Sequence, residues 1–284
     1  MSTRSQSSAP YSSYKPIKML GQNFLTDQSV VNRIVSLVDP SADDFILEVG
    51  PGQGALTREL SESGATVVAV ELDRRLAPFL VREFSGCAKV TIIEADILKL
   101  DLLETLAGLT DKKWKVAANL PYNISSQVLI KFLETPTLFS DLYLMLQKEV
   151  GDRLAASPAT KNYGILTLFC RLHFDVTREF IVKPGSFHPV PKVDSAVLRF
   201  RSLPAPRVDV GDERLFRKLV KAAFSQRRKT LWNCLKSADF AANDADLRAT
   251  LLDAGIDEKR RGETLLLDEF AALSRRFAKI AANP

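Results

Sequence analysis

The chain contains 284 residues, 46% of them hydrophobic, which is enough for a full core and for two domains. Its 39 lysine and arginine residues exceed its 34 acidic residues and give a net charge of +5, so the distribution of charge is more informative than its size. The apolar runs are too short for a membrane span, which needs ~18 residues. Three scattered cysteines and two histidines argue against disulfides, zinc and metal catalysis. We therefore expect a cytoplasmic protein that is neither membrane-bound nor metal-dependent.

The first residues, 1–17, are rich in serine and contain no acidic side chain. They also lack the apolar segment of a secretory signal. We predict that this segment is a disordered basic tail, with an organellar transit peptide as the alternative.

Short apolar runs alternate with helical patterns from residue 44 to residue 148. This alternation predicts an α/β fold with a parallel sheet covered on both faces. The predicted strands are residues 45–49, 66–71, 90–95, 116–120 and 142–146. A later pair with alternating polarity, residues 171–176 and 193–200, predicts antiparallel strands that close the sheet, for a total of seven. On this reading His173 lies in a strand, and Ser125 and Ser126 cap a helix that begins at Gln127.

The segment Leu203-Pro204-Ala205-Pro206 is a stiff spacer and predicts a domain boundary. Beyond it the pattern is helical throughout, with a first helix entered through Asp212. We therefore predict one domain over residues 18–203 and a small all-helical domain over residues 204–284.

A glycine-rich turn, G-P-G-Q-G (50–54), follows the first predicted strand and precedes a helix. Gly50 and Gly52 allow a sharp turn and a close approach of the backbone to a ligand. Glu71 ends the next strand, where an acid can accept both hydroxyls of a ribose. A tight strand-to-helix turn without a ligand is the alternative.

The turn is preceded by Glu48, whose carboxylate would repel a pyrophosphate but suits an ammonium or sulfonium group. Asp96 ends the third strand and can accept a hydrogen bond from an adenine amino group. Strands that end in these three acids predict a pocket for a cationic nucleoside such as S-adenosyl-L-methionine.

The fourth strand ends in N-L-P-Y (119–122) and borders the same crevice. An exocyclic amine on a nucleobase becomes a better nucleophile when acceptors bind both of its N–H groups. The Asn119 amide oxygen and the Leu120 carbonyl can do so, with Pro121 holding the carbonyl in place. Tyr122 offers a ring on which an extruded base can stack. A strand end followed by a turn, with the tyrosine packed in the core, is the alternative.

Seven sequence motifs occur in one order and cover nearly all of the chain from Lys18. They are G-Q-N-F-L (21–25), E-V-G-P-G-Q-G-A-L-T (48–57), N-L-P-Y-N-I-S (119–125), Q-K-E-V-G-D-R-L (147–154), F-H-P-V-P-K-V-D-S (187–195), A-F-S-Q-R-R-K-T-L-W-N-C-L (223–235) and R-R-G-E-T-L (260–265). Together they resemble the KsgA family of small-subunit ribosomal RNA adenine N6,N6-dimethyltransferases. Gly262 departs from the pattern, because alanine is common at that position.

The resemblance implies a Rossmann-like class I methyltransferase that transfers methyl groups from S-adenosyl-L-methionine and releases S-adenosyl-L-homocysteine. Its substrate would be two adjacent adenines in the 3′-terminal hairpin loop of small-subunit rRNA, in an assembly-stage subunit, and the enzyme would be monomeric. Donor contacts would fall on Asn23, Leu25, Gly50, Glu71, Asp96 and Asn119. Phe187 would close the far side of the adenine stack, although its residue pattern alone favours a buried core side chain.

Residues 199–236 hold eleven basic and three acidic side chains, and this excess is larger than that of the whole chain. The run Arg227-Arg228-Lys229 lies at a predicted turn within them. Such a concentration is typical of a phosphate-binding surface, and we predict that these three residues bind RNA. A solvated helix face is the alternative.

Two other functions remain open at this stage. Macrolide-resistance methyltransferases share the fold and an N-x-P-Y motif but modify large-subunit rRNA. A ribosome assembly factor could instead retain the fold and act mainly by binding.

Overall fold

The computed structural model describes residues 14–238, 240–241 and 243–282. Most of the predicted basic tail, residues 1–17, thus lies outside the described residues. The chain divides into two compact units. The first comprises the described residues up to Lys131 together with Thr137–Lys148 and Glu179–Leu198. The second comprises Phe132–Pro136, Glu149–Arg178 and the described residues from Arg199 onward.

A seven-stranded sheet, mostly parallel with an antiparallel edge, confirms the predicted α/β class. The strand order is β4-β3-β2-β5-β6-β9-β7, and a separate short ribbon pairs β1 with β8. The strands are β1 Phe24–Leu25, β2 Phe45–Val49, β3 Thr66–Glu71, β4 Val90–Glu94, β5 Trp114–Asn119, β6 Phe139–Gln147, β7 Phe174–Val182, β8 Phe187–His188 and β9 Ser195–Ser202.

Helices connect the strands and make up the regular structure after β9 in the described residues. They are α1 Gln28–Val38, α2 Ala55–Glu62, α3 Leu76–Glu83, α4 Leu102–Ala107, α5 Ser125–Phe132, α6 Lys148–Leu154, α7 Ile165–His173, α8 Glu213–Ala223, α9 Leu231–Lys236, α10 Asp244–Asp253 and α11 Leu267–Ala282. Single 3₁₀ turns occur at Lys18–Leu20, Pro136–Leu138, Pro184–Ser186 and Gly262–Thr264.

The central parallel strands are apolar because helices cover both faces of the sheet. Ile46 of β2, Val67 of β3 and Ala117 of β5 are fully buried in the core of the first unit. Leu60 of α2 and Val31 of α1 pack into the same core. This packing holds the carboxyl ends of β2, β3 and β5 side by side.

Two local predictions are wrong. Residues 171–173 are helical rather than extended: α7 ends at His173 and β7 begins at Phe174. Residues 171–173 form the last turn of α7, and polar and apolar side chains alternate from Arg171 to Val176 across the start of β7, so the whole stretch reads as a strand. Helix α5 begins at Ser125, two residues before the predicted start, and the Ser125 hydroxyl donates to the Tyr122 carbonyl instead of capping the helix.

The helices after β9 follow their predicted patterns. Asp212 caps α8 by accepting hydrogen bonds from the backbone N–H groups of Arg214 and Leu215. The buried faces of α8 and α11 include Phe216 and Phe270, respectively. These apolar faces form the core of the second unit.

Gly262 has a packing reason in this chain. A Cβ atom at this position would lie 2.5 Å from the Ala223 carbonyl oxygen, which is backbone and cannot rotate away. Alanine at 262 therefore requires a shift of the backbone at one of the two segments.

A partly buried charge network in the second unit generates a stability prediction. The Glu213 carboxylate contacts His173 and accepts two hydrogen bonds from the Arg217 guanidinium, at 2.6 and 2.9 Å. The His173 contact, followed by Arg217, lowers the pKa of Glu213 to about 2. The resulting stabilisation is present above the ordinary glutamate pKa near 4.5 and is lost as the pH falls toward 2.

We expect Glu213→Gln to lower the free energy of unfolding by about 1 kcal/mol at pH 7, because a partly exposed charged hydrogen bond is lost. Urea titrations at pH 7, 5 and 3 should show the difference from the parent shrinking by more than half at pH 3. Glu149→Gln is the control, because Glu149 forms an exposed pair with Arg153 one turn away. Equal effects of the two substitutions would contradict this account.

Candidate active site

A cavity of roughly 290 Å³ opens at the carboxyl ends of the parallel strands, within the first unit. In open parallel sheets this edge is where ligands bind. Ten of the predicted site residues line the cavity. They are Asn23, Leu25, Gly50, Gly52, Glu71, Asp96, Asn119, Leu120, Pro121 and Tyr122. Phe187 is not among the lining residues: it is 2% exposed and pairs with Leu25 in the β1–β8 ribbon.

The glycine turn between β2 and α2 forms one wall of the cavity. Gly52 has φ +60°, and a Cβ atom there would lie 2.9 Å from the ring of Phe24. Both the backbone angle and the space therefore require glycine. The Gly52 N–H donates to Glu71 Oε2 at 3.0 Å, so the loop is held by the acid at the end of β3.

Glu71 is 5% exposed, and each of its oxygens accepts a backbone hydrogen bond. Oε1 accepts from the Asp73 N–H at 2.8 Å, and Oε2 accepts from Gly52. Burial raises the pKa of Glu71 in spite of these amides. Because each carboxylate oxygen has a second lone pair, Glu71 can still accept a pair of hydroxyl groups from a ribose.

Glu48 is the most deeply buried acid in the cavity wall, at 1% exposure. Its Oε2 has no hydrogen-bond partner in the described part of the chain. Burial raises the pKa of Glu48 to about 8; contact with Thr57 opposes this shift and the charge of Glu71 adds to it. A buried carboxyl with one oxygen lacking a donor suits a positively charged ligand, which would stabilise the ionised form.

Asp96 lies two residues beyond the end of β4 and is half-buried. Its Oδ1 accepts from the Leu98 N–H at 3.0 Å, which orients the carboxylate. The neighbouring Ile97 is buried against the cavity and supplies an apolar wall on which a purine can pack. Sequence analysis missed Ile97, although an apolar residue directly after the strand-end acid was a usable signal.

Asn119, at the end of β5, is oriented by one hydrogen bond. Its Nδ2 donates to the Asn23 carbonyl at 3.0 Å, so Oδ1 is the atom that remains to accept from a ligand. The Tyr122 hydroxyl is 2.5 Å from the Oγ of Ser195, a fully buried residue of β9, and this contact fixes the ring. Burial raises the pKa of Tyr122, so the phenol is neutral near pH 7.

The structure separates the three predicted RNA-binding residues, which follow α8 in the second unit. Arg227 is exposed but has partners within the chain: its guanidinium donates to the Lys161 carbonyl at 2.6 Å and lies 3.5 Å from the Glu263 carboxylate. Arg228 and Lys229 are exposed and have no side-chain partner among the described residues. Only these last two present unpaired cations to solvent.

Sequence analysis also missed Asp73 and Gln22, which are joined by a hydrogen bond of 2.9 Å between Gln22 Nε2 and Asp73 Oδ2. Asp73 is 3% exposed and contacts Glu71 through its backbone. A second acid two residues after Glu71 was the available signal.

No helix of the described residues is long and apolar enough to cross a membrane, and these residues contain no group of three or more His, Cys, Asp or Glu side chains that could hold a metal ion.

The sheet order and the pocket at its carboxyl edge are those of a Rossmann-like methyltransferase fold. Among solved structures, a dimethyladenosine transferase from Plasmodium falciparum has the same fold, with a TM-score of 0.77 at 24% identity over 91% of this chain and 98% of that one. The 23S rRNA methyltransferase ErmE has a TM-score of 0.65 at 26% identity, over 90% of this chain and all of that one.

The family profile of ribosomal RNA adenine dimethylases matches residues 15–278. The chain is also 63% identical, over 258 residues, to ribosomal RNA small subunit methyltransferase A of Geobacter metallireducens, covering 91% of this chain and 94% of that protein. The chain therefore belongs to the ribosomal RNA adenine dimethylase family, which confirms the resemblance found in its motifs.

The burial of Glu48 generates a prediction about the chain without ligand. The pKa of Glu48 is about 8 in the folded chain and near 4.5 in the unfolded chain, so ionising this carboxyl favours unfolding. The free energy of unfolding is therefore highest below pH 4.5 and falls as the pH rises through 8. In the parent we expect the free energy of unfolding to fall by on the order of 3 kcal/mol over this range, and in Glu48→Gln we expect this fall to be absent. Chemical denaturation at pH 5, 7 and 9 measures it, with the exposed Glu62→Gln as control. Parallel pH curves for the parent and Glu48→Gln would contradict the assignment.

Proposed function

We propose that this chain uses S-adenosyl-L-methionine to dimethylate N6 of two adjacent adenines in the 3′-terminal hairpin loop of small-subunit rRNA. The enzyme acts in the cytoplasm, as a monomer, on a subunit in late assembly, and S-adenosyl-L-homocysteine is the second product. One observation carries the proposal: a single cavity brings together the strand-end acids Glu71 and Asp96 and the polar tip Asn119-Leu120.

The donor side of the cavity fits an adenosyl group. Glu71 binds the ribose hydroxyls, and Asp96 accepts from the adenine amino group. Glu48, whose Oε2 has no partner among the described residues, receives the positive charge of the donor. Gly50 and Gly52 allow the backbone to approach closely. When bound, the donor supplies an electrophilic methyl group on a sulfonium.

Asn23 and Leu25 complete the donor side from the segment that leads into β1. The Asn23 carbonyl is already joined to the Asn119 side chain, so the donor contacts and the target contacts share one hydrogen bond. A displacement of either residue would misalign both ligands.

The target side binds the adenine amine through two acceptors. Asn119 Oδ1 and the Leu120 carbonyl accept its N–H groups and direct the nitrogen lone pair toward the methyl group, while Pro121 restrains the backbone. Tyr122 stacks on the base, a contact worth ~1–3 kcal/mol. The positioning of these groups carries most of the catalysis, and the amine proton leaves after transfer. The contact of Phe187 with the other face of the base stays a prediction.

The small subunit is the better substrate assignment. The relative named for the small subunit is 63% identical to this chain, whereas the 23S rRNA methyltransferase ErmE is 26% identical. In this proposal residues 18–203 form the catalytic domain and residues 204–284 bind RNA. The unpaired cations Arg228 and Lys229 support the second role.

The substrate assignment is tested by incubating the enzyme with labelled donor and assembly-stage small subunits, and mapping modified nucleotides by mass spectrometry. We expect two adjacent dimethyladenines near the 3′ end and no label on large subunits. Asn119→Ala should lower the rate at saturating donor by roughly 10²–10³-fold, because an oriented acceptor is lost from the transition state. Label on large-subunit RNA alone would overturn the proposal.

The RNA surface is tested by the salt dependence of subunit binding. Removing a cation that contacts phosphate reduces the slope of log K against log[salt] by roughly 1. We therefore expect Arg228→Ala with Lys229→Ala to reduce the slope by roughly 2. The charge-matched control, Arg276→Ala with Lys279→Ala, changes cations on α11, where Arg276 lies 3.5 Å from Asp253. Equal slopes for the two double variants would exclude Arg228 and Lys229 from the RNA contact.

A further inference from the structure

Residues 15–23, here called the N-terminal strap, form part of the wall of the donor cavity. Five of them, residues 19–23, line the cavity directly. Met19 is 87% exposed and Lys18 is exposed, whereas Ile17 and Leu20 are half-buried and no strap residue is fully buried. Polar contacts therefore supply a substantial part of what holds the strap.

The strap is closed on itself by Gln22. The Gln22 Oε1 accepts from the Ile17 N–H at 2.7 Å, which ties the two ends of the 3₁₀ turn Lys18–Leu20 together. The amide nitrogen of the same side chain points the other way and donates to Asp73 Oδ2 at 2.9 Å. Gln22 thus makes the strap a compact loop and attaches that loop to the segment after β3.

Asp73 is the anchor on the other side of this attachment. Its carboxylate also accepts from the Arg75 guanidinium at 2.6 and 3.0 Å, and the same guanidinium donates to the Lys15 carbonyl at 3.3 Å. The hydrogen bonds from Arg75, and to a smaller extent the one from Gln22, outweigh the effect of burial and lower the pKa of Asp73 to about 2. The Asp73 carboxylate is therefore ionised throughout the physiological range. The strap is therefore held at both of its ends by one buried carboxylate and its arginine.

The same aspartate contacts the donor site through its backbone. The Asp73 N–H donates to Glu71 Oε1, and Glu71 Oε2 accepts from Gly52. A continuous line of hydrogen bonds thus connects the glycine turn, the ribose-binding acid, Asp73 and Gln22. On the opposite side, the strap reaches the target site through the bond between Asn23 and Asn119.

We propose that Asp73 is a positioning residue that couples the ribose site to the N-terminal strap, so that donor binding holds the strap closed and the strap slows donor release. This inference rests on the proposed function, because it takes the ligand at Glu71 to be the adenosyl donor. Coupling of this kind is reciprocal: whatever loosens the strap weakens donor retention, and the donor protects the strap.

A purely local role for Asp73 is the competing account. Its Oδ1 accepts from the Arg75 N–H and its carbonyl accepts from the N–H groups of Leu76 and Ala77, so it also shapes the start of α3. Gln22→Ala separates the two roles, because it removes the hydrogen bond between Asp73 and the strap and leaves every bond of Asp73 with Arg75 and α3 in place.

The experiment measures the dissociation rate of S-adenosyl-L-homocysteine from the full chain, together with backbone hydrogen exchange in residues 15–23 with and without that ligand. We expect Gln22→Ala and Asp73→Asn each to speed dissociation by roughly tenfold, since each removes a hydrogen bond to a charged group. Both should also abolish ligand-induced protection of the strap. The double variant should be no worse than the more severe single variant, because the two side chains act through one contact.

Arg74→Gln is the matched control. Arg74 lies between Asp73 and Arg75 in the sequence, but its side chain is exposed and pairs with Glu94. It should leave dissociation and exchange unchanged. In steady-state kinetics we expect Gln22→Ala and Asp73→Asn to raise KM for the donor by a larger factor than they lower kcat.

Dissociation rates within twofold of the parent for Gln22→Ala, or a double variant with additive effects, would overturn the coupling. Gln22 keeps the test decisive should Asp73→Asn fail to fold. Failure of the proposed function would look different, because the parent chain itself would then not bind S-adenosyl-L-homocysteine.

Discussion

The site depends on one buried carboxylate, that of Glu71. It accepts an amide hydrogen bond from Gly52 in the loop after β2 and another from Asp73 in the loop after β3. Two loops that leave neighbouring parallel strands are thereby held in fixed register at the edge where a ligand binds. Because Glu71 is almost fully buried, losing it would leave both amides without an acceptor, so one side chain serves the shape of the pocket and its chemistry.

The electrostatics of the cavity favour a cationic nucleoside. Burial raises the pKa of both Glu48 and Glu71, and the charge of Glu71 adds to the cost of ionising Glu48. A ligand carrying positive charge relieves this repulsion, whereas a pyrophosphate would increase it. The charge of the pocket therefore favours a cationic donor over a pyrophosphate.

Much of this arrangement was predictable from sequence, because parallel strands buried on both faces have an unambiguous apolar signature. Glu71 and Asn119 are the last residues of β3 and β5, and Asp96 lies two residues beyond β4, so their convergence on one edge follows from topology. His173 was misplaced because polar and apolar residues alternate across the junction of α7 and β7, which hides the end of the helix. Asp73 and Arg227 show the other limit, since their partners Gln22 and Lys161 are distant in sequence and only folding brings them together.

A crystal structure of the chain with S-adenosyl-L-homocysteine tests the account most directly. We expect the ribose hydroxyls within hydrogen-bond distance of Glu71, the adenine amino group at Asp96, and the sulfur atom facing Asn119 Oδ1. A ligand bound away from the carboxyl edge of the sheet, or an Asn119 side chain turned out of the cavity in that complex, would contradict it.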